Sequence, residues 1–477
     1  MNTSTVSMHG FSRAAAAAPM PARAGADYQL RITGDARVQL ARGWLWLGLA
    51  ALIGSGLFAI LLVASRTPGV NQWLPAANFF HVALVLHVDL SVIVWFVAMA
   101  GMLWSLYGRT NVQRLGWAGL WVTAAGTLAM ALAPFVDPGE PVMSNYIPVL
   151  DSTLFLAGLA VFGLGALLLV LRSLNAAPRL GLHYDGHGAL HFGLSAAAVS
   201  AAVALLAFGW SWWVLRPDLD AKTYYEIVFW GGGHALQFTW TLLMLVAWLW
   251  LASACGARIR LTPRVVVLMF LLALVGVFAT PYAYVSHDIT SVEHRNLLTW
   301  AMRLGGGPAI VPLGMAVVLG IATARIHEPL LRPLRAALLS SILLFAAGGV
   351  IGIFISGSNV RIPAHYHGCI VGVTLALMGA VYRVLPSMGY QAPRGRLATW
   401  QPWVYGIGQL MHIIGLVWSG GYGVQRKVAG AEQVLRSTGE VAGMGLMGLG
   451  GLIAIIGGLL FVVVVLQAMR APAGSAR

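Results

Sequence analysis

The chain has 477 residues, of which 59% are hydrophobic and only 9% are charged. Soluble domains carry about 25% charged residues, so this composition excludes an ordinary soluble protein and indicates that lipid surrounds most of the chain. The formal net charge is +14, but the basic residues are scattered singly between apolar stretches, which argues against a nucleic-acid partner. Cys255 and Cys369 lie far apart in sequence, so a disulfide framework or cysteine-bound cluster is not expected.

Residues 1–40 form a polar tail rich in alanine and arginine. The tail lacks the apolar segment and cleavage site of a signal peptide. We therefore expect a disordered or surface-lying cytoplasmic tail, with an organelle transit peptide as the alternative.

Residues 41–472 are predicted to form one membrane domain. About twelve apolar stretches are long enough to span a bilayer, so the predicted fold class is an all-α integral membrane protein with about twelve transmembrane helices. The predicted spans are 43–65, 79–107, 114–135, 147–172, 187–214, 224–253, 264–286, 296–322, 334–357, 362–385, 401–421 and 441–469.

Arginine is concentrated in the tail and in the loops after every second span. By the positive-inside rule, both termini are predicted on the cytoplasmic side of the inner membrane. The last outer loop, with Arg426 and Lys427, goes against this bias and suggests a separate role for these two cations.

Histidines inside membrane spans are costly and usually functional. The segment IPAHYHG at residues 362–368 places His365 and His367 two residues apart. Two residues turn a helix by about 200°, so the two imidazoles face opposite sides and fit two different hemes better than one shared metal. With the predicted orientation, His81, His87, His234 and His287 lie at the same outer depth, which indicates a shared heme and metal centre.

The segments AHYHG and LMGAVYRVLP in the tenth span, and HVDLSVIVW in the second, resemble subunit I of the heme-copper oxidase and nitric oxide reductase superfamily. The resemblance covers roughly residues 43–470. It implies a heme-binding catalytic domain in which His365 holds a high-spin heme, and His367 and His87 hold a low-spin heme. His81 is the alternative low-spin ligand.

The resemblance also implies a non-heme metal opposite the high-spin heme, either iron or copper. Its expected ligands are His234, His287 and Asp288, because the seventh span ends in VSHD where the family has two adjacent histidines. The pair Glu293 and His294 is the alternative. Two histidines and one carboxylate suit non-heme iron better than copper.

Oxygen-reducing relatives carry a tyrosine near this metal, but the two matching positions here are Phe238 and Pro281. The resemblance therefore favours reduction of nitric oxide to nitrous oxide. The alternative is an oxygen reductase of the cytochrome c oxidase type that uses Tyr282 or Tyr284 instead. A heme-bearing electron-transfer or gas-sensing membrane protein is a further alternative.

The basic pair Arg426 and Lys427 resembles the residues that bind heme propionates in the family, and Arg361 is a further candidate. Arg303 and Asp89 are intramembrane charges to which the sequence assigns no role. Because the chain has neither a c-type heme motif nor a copper–thiolate motif, we expect electrons from a partner subunit, a cytochrome c or a cupredoxin.

Overall fold

A computed structural model describes residues 27–70, 79–178, 185–216, 218–325, 328–356, 358–428 and 433–470. Within these ranges, eleven helices are long and apolar enough to cross a membrane, and a twelfth has a comparable length. In chain order the helices are α1 Ala36–Arg66, α2 Phe80–Tyr107, α3 Gln113–Val136, α4 Thr153–Ala176, α5 Gly186–Val214, α6 Ala221–Ala254, α7 Pro263–Ser286, α8 Val292–Thr323, α9 Pro329–Ile353, α10 Arg361–Val384, α11 Gly395–Gly421 and α12 Thr438–Arg470. The predicted all-α membrane bundle is confirmed.

Helices that follow each other in sequence form the closest pairs, in particular α3 with α4, α9 with α10, and α11 with α12. Small residues allow their backbones to touch. A Cβ added at Gly158 would lie 2.9 Å from Met130 N, and one at Gly408 would lie 2.9 Å from Gly450 O. The bundle is therefore held largely by close packing of glycine-bearing faces, since lipid supplies no hydrophobic force between helices.

The helices that carry the predicted histidines occupy the centre of the bundle. In their membrane-crossing windows, 83% of the residues of α6, 78% of α10 and 67% of α2 are buried, against 28% for α1 and for α7. The apolar side chains of α1 and α7 therefore face mainly outward, and the chemistry is concentrated where protein surrounds it.

A short hairpin connects α3 to α4 at one end of the bundle, which we call the hairpin end. Strands β1 Glu140–Val142 and β2 Val149–Asp151 pair antiparallel, with Val142 opposite Val149. The predicted fourth span began at residue 147. The helix begins at Thr153 instead, because the side chain of Ser152 caps it by accepting a hydrogen bond from Phe155 N.

The predicted tail lies outside the described residues up to residue 26. From residue 27 onward it is part of the fold, and α1 begins at Ala36, capped by Asp35. Tyr28 is fully buried; its backbone N–H donates to Ser253 Oγ at 3.1 Å, and its hydroxyl donates to Leu261 O at 2.7 Å. These bonds attach the segment to the end of α6 and to the loop before α7, at what we call the tail end of the bundle.

Candidate functional site

The two histidines predicted for the low-spin heme are brought close enough to interact electrostatically. His87 Nδ1 lies 2.9 Å from Ser55 Oγ and 3.1 Å from Ser55 O. His367 Nδ1 lies 2.8 Å from Pro363 O, one turn earlier in α10. When Nδ1–H donates to an oxygen, the lone pair of Nε2 is free to bind a metal. In both imidazoles Nε2 is therefore left available to a heme iron.

Helix α2 widens into a π-helical turn at Asp89–Val94, directly after His87. The hydroxyl of Ser91 donates to His87 O at 2.6 Å. Such single π turns are frequent at functional sites, since one extra residue in the turn re-aims the side chains beside it. The carboxylate of Asp89 is fully buried in this turn, and neither oxygen has a hydrogen-bond partner among the described residues.

A third imidazole, which the sequence analysis did not single out, joins this pair. The rings of His412 in α11 and His367 lie 4.8 Å apart. His412 Nδ1 lies 3.0 Å from Met447 O in α12, which fixes the ring. His81, the alternative ligand, contacts a different part of the chain, since its Nε2 lies 3.0 Å from Lys427 O.

The proximal histidine of the predicted high-spin heme packs against α9. His365 Nδ1 lies 2.7 Å from Gly348 O, and a Cβ added at Gly352 would lie 2.7 Å from the same Nδ1. The ring sits against a glycine face that a larger residue would block. As in the low-spin pair, Nδ1 is occupied and Nε2 remains for iron.

The histidine of α6 has a tyrosine as its direct partner. His234 Nδ1 lies 2.7 Å from Trp230 O, so Nδ1–H donates to this carbonyl and Nε2 is the acceptor. The hydroxyl of Tyr146 lies 3.2 Å from Nε2 and therefore donates to it. Burial raises the pKa of the Tyr146 phenol well above its ordinary value, which keeps the donor protonated. The ring of Tyr146 packs directly on Gly233, where a Cβ would overlap it.

Tyr146 lies next to His234 because hydrogen bonds to Glu226 and to Lys427 hold the hairpin in place. Glu226 in α6 accepts hydrogen bonds from the backbone and side-chain amides of Asn145. Lys427 Nζ donates to Met143 O at 2.6 Å. Burial lowers the pKa of this lysine to about 8. The loop between α3 and α4 is thus part of the site.

His294 is the second imidazole near His234, and the two lie within electrostatic range of each other. His294 is 2% exposed, and its Nε2 is buried without a hydrogen-bond partner in the described ranges. Helix α8 begins at Val292, earlier than the predicted residue 296, because Ser291 caps it through His294 N. His294 is therefore a residue of the first helical turn, directed into the bundle.

The structure does not bring Asp288 to His234, in contrast to the ligand set expected from the sequence. Helix α7 ends at Ser286, and His287 already has extended backbone angles. The exposed carboxylate of Asp288 accepts a hydrogen bond from Thr290 N at 2.8 Å. Hydrogen bonds from Thr290 lower the pKa of this carboxyl. His287 is half-buried, and both His287 and Asp288 lie within electrostatic range of His294.

The basic residues are distributed differently from the expectation. Arg426 lies within electrostatic range of Tyr366, the neighbour of His365 in sequence, whereas Lys427 donates a hydrogen bond to Met143 O in the hairpin. Arg361 has a buried Nε without a partner in the described part of the chain. Arg303 is exposed on the outer face of the bundle, with its guanidinium 5.5 Å from the centre of the Trp300 ring.

Comparison with known proteins identifies the family. The family described as cytochrome c and quinol oxidase polypeptide I matches residues 39–471. The chain belongs to this family. It is therefore an oxidoreductase of the heme-copper superfamily, as the histidine pattern predicted. Among curated proteins, an uncharacterised protein of Rickettsia prowazekii is 28% identical over 89% of the chain and 94% of its own length.

Two further relatives each match three quarters or more of the chain. An uncharacterised protein of Aquifex aeolicus is 28% identical, covering 75% of the chain and 88% of that protein. Cytochrome c oxidase subunit 1 of Thermus thermophilus is 23% identical, covering 80% of the chain and 76% of that protein. These matches support a respiratory terminal oxidase type of subunit.

The hemes and the second metal that this family implies can be tested against the residues present. His87, His367 and His365 each have Nδ1 within hydrogen-bonding distance of an oxygen and Nε2 left for a metal, which fits two hemes. In the described ranges, no group of three or more His, Cys, Asp or Glu side chains is arranged to hold a metal ion. For the non-heme metal, the fitting donors are His234 and the unpartnered Nε2 of His294, with His287 next to them.

Proposed function

We propose that this chain is the catalytic subunit of a membrane-bound terminal oxidase that reduces molecular oxygen. In this proposal His87 and His367 would hold a low-spin heme, and His365 would hold a high-spin heme. His234, His294 and His287 hold the non-heme metal. Bound at these positions, the hemes and the metal supply reducing electrons to a diatomic gas.

The observation that carries oxygen as the substrate is the position of the Tyr146 hydroxyl beside His234 Nε2. Because Nδ1 is bonded to Trp230 O, a metal would bind at Nε2, replace the present hydrogen bond and leave the phenol next to it. The sequence-based preference for nitric oxide rested on a carboxylate ligand at Asp288 and on the lack of a suitable tyrosine. Asp288 accepts hydrogen bonds from Thr290, and Tyr146, which is half-buried, places its hydroxyl 3.2 Å from the imidazole of His234. A metal held by His234 would have this phenol as its neighbour, where a proton and an electron are needed.

An all-histidine donor set also changes the expected metal. Imidazole suits copper, iron and zinc, whereas a carboxylate shifts preference toward harder ions. With His294 in place of Asp288, copper becomes the favoured metal. The ring of Tyr284 packs edge-on against His294, with centroids 4.8 Å apart, but its hydroxyl is bonded to Ser211 at 2.6 Å and not to a histidine. Tyr282 is 61% exposed on the outside of the bundle.

Reduction of nitric oxide is the second candidate, and one observation favours it. Phe238 and Pro281 occupy the two positions where the family's oxygen reductases carry tyrosine, and Phe238 is buried against Gly305. Joining two NO molecules takes two electrons and no tyrosine. Nitric oxide turnover would therefore continue without the phenol of Tyr146.

The deciding experiment compares oxygen and nitric oxide consumption by the purified complex with one reductant. We expect rapid oxygen turnover that falls at least about tenfold in Tyr146→Phe, which keeps the ring and removes only the hydroxyl. The low-spin heme spectrum is the control and should not change. Rapid NO consumption with no oxygen turnover would refute the proposal and leave the second candidate.

Topology, propionate binding and the electron donor are further parts of the proposal. The chain is a multi-pass membrane protein, and we propose that both termini lie in the cytoplasm and the hemes near the outer face. Arg426 and Arg361 are proposed to bind heme propionates, with Lys427 holding the hairpin beside them. Electrons are proposed to come from a partner subunit, a cytochrome c or a cupredoxin, and the gas to enter from the lipid.

A further inference from the structure

Two histidines lie at the tail end of the bundle and belong to neither heme nor to the non-heme metal. His187 and His191 occupy the first two turns of α5, four residues apart. Residues at this spacing share one face of a helix. Their ring centroids are 4.3 Å apart, at an angle of 61° between the ring planes. One small ion can therefore contact both imidazoles.

Each histidine of the pair has a ring nitrogen without a hydrogen-bond partner in the described part of the chain, as a metal ligand requires. His187 Nδ1 lies 3.2 Å from Gln29 O, so Nδ1–H donates and the lone pair of Nε2 is free. Metal-binding histidines commonly donate their other ring N–H to a carbonyl in this way. His191 Nε2 is buried and has no partner in the described part of the chain. An unpaired buried nitrogen of this kind is destabilising by about 1–3 kcal/mol.

The pair lies at the rim of the bundle, in surroundings that include both apolar and polar side chains. His191 lines a small cleft between α2, α4 and α5 that also contains Tyr107, Ser173 and Ser195. The charged groups within electrostatic range of His191 are Asp185 and Arg37. Asp185 is exposed at the N-cap of α5, where it can attract a cation from solution.

We propose that His187 and His191 form a site for a divalent first-row transition ion such as Zn²⁺ or Cu²⁺. Imidazole nitrogen is a preferred ligand of both ions. Water would complete the coordination, since two protein nitrogens do not fill it. Because His187 is oriented by the carbonyl of Gln29, the ion would also fix the residues before α1 against α5. This site is independent of the proposed reduction chemistry.

The test is a calorimetric titration of the purified full-length complex with Zn²⁺, using a preparation without a polyhistidine tag. We expect one ion per chain, and at least about tenfold weaker binding in His187→Gln and in His191→Gln. Asp185→Asn is the matched control: asparagine retains the helix cap but removes the charge, so affinity should fall by only a few-fold. Heme spectra should be the same in all variants.

Electron paramagnetic resonance of Cu²⁺ added to the same protein gives a second measurement. We expect nitrogen hyperfine structure from two imidazoles, reduced to one in His187→Gln. His187 lies at the rim and is half-buried, so this variant remains informative if His191→Gln fails to assemble. Unchanged Zn²⁺ affinity in His187→Gln, or a Cu²⁺ signal without nitrogen coupling, would overturn the proposal.

Discussion

Substitution of Gly233 by alanine tests the contact that positions Tyr146, without altering any ligand. A Cβ at this position would lie 2.5 Å from Tyr146 Cδ1 and 2.7 Å from Cδ2. Carbon atoms in unstrained contact are about 3.5–4.0 Å apart. The ring must therefore move by about 1 Å, the difference between about 3.5 Å and 2.5 Å.

This displacement moves the Tyr146 hydroxyl from its position beside the proposed metal ligand His234. The hydroxyl lies 3.2 Å from Nε2, so a shift of about 1 Å takes it beyond hydrogen-bonding distance of the site at that nitrogen. Overpacking of this kind is destabilising by about 1–3 kcal/mol. In catalysis, a misplacement of about 1 Å costs about 100-fold. We therefore expect oxygen turnover to fall by about two orders of magnitude while the protein still assembles.

The assay is oxygen consumption by the purified complex, together with heme content and the low-spin visible spectrum. Gly209→Ala in α5 is the matched control, because a Cβ there has nothing within 4 Å; this variant should keep full turnover. Full oxygen turnover in Gly233→Ala with both hemes present would show that turnover does not depend on the position of Tyr146. The proposed role of Tyr146 would then be refuted.

Four further outcomes are expected. His87→Ala should abolish the six-coordinate low-spin spectrum and His81→Ala should retain it; a low-spin spectrum that survives in His87→Ala would point to another axial ligand. His294→Ala removes an imidazole, and metal analysis should then show loss of the non-heme metal. Asp288→Ala should leave metal content and turnover unchanged. The opposite pattern would show that Asp288 is a ligand. Glu226→Ala should release the hairpin, and lower oxygen turnover about as much as Tyr146→Phe, with protease resistance of the hairpin as the structural measurement. Reporter fusions should place both termini in the cytoplasm; a periplasmic signal from either one would contradict the depth argument for the histidines.

The sequence was sufficient for the parts of this protein that depend on periodicity and on helical spacing. Apolar length predicted twelve spans, and the separation of His365 and His367 predicted two imidazoles on opposite faces of one helix. His365 indeed faces Gly348 of α9, whereas His367 faces His412 of α11. These features are local, since a helix fixes the direction of each side chain relative to its neighbours.

The parts that the sequence did not reveal depend on loops and caps. Tyr146 lies in a hairpin far from α6 in sequence, and the signal that points to it is the missing Cβ at Gly233. His294 was placed outside its helix because the capping role of Ser291 was not recognised, and the expectation for Asp288 did not include its bonds to Thr290. His294 and Asp288 lie within a few positions of a helix end, where hydropathy gives no boundary.

The burial of Tyr28 has a consequence for the order in which the protein is made. Its two hydrogen-bond partners, Ser253 Oγ and Leu261 O, follow it by 225 and 233 residues. During synthesis, the residues before α1 therefore leave the ribosome long before α6 is complete and the loop to α7 has formed. They can reach their final position only after about half of the chain has been inserted. The residues around Tyr28 are therefore made before α6 but packed into the fold after it.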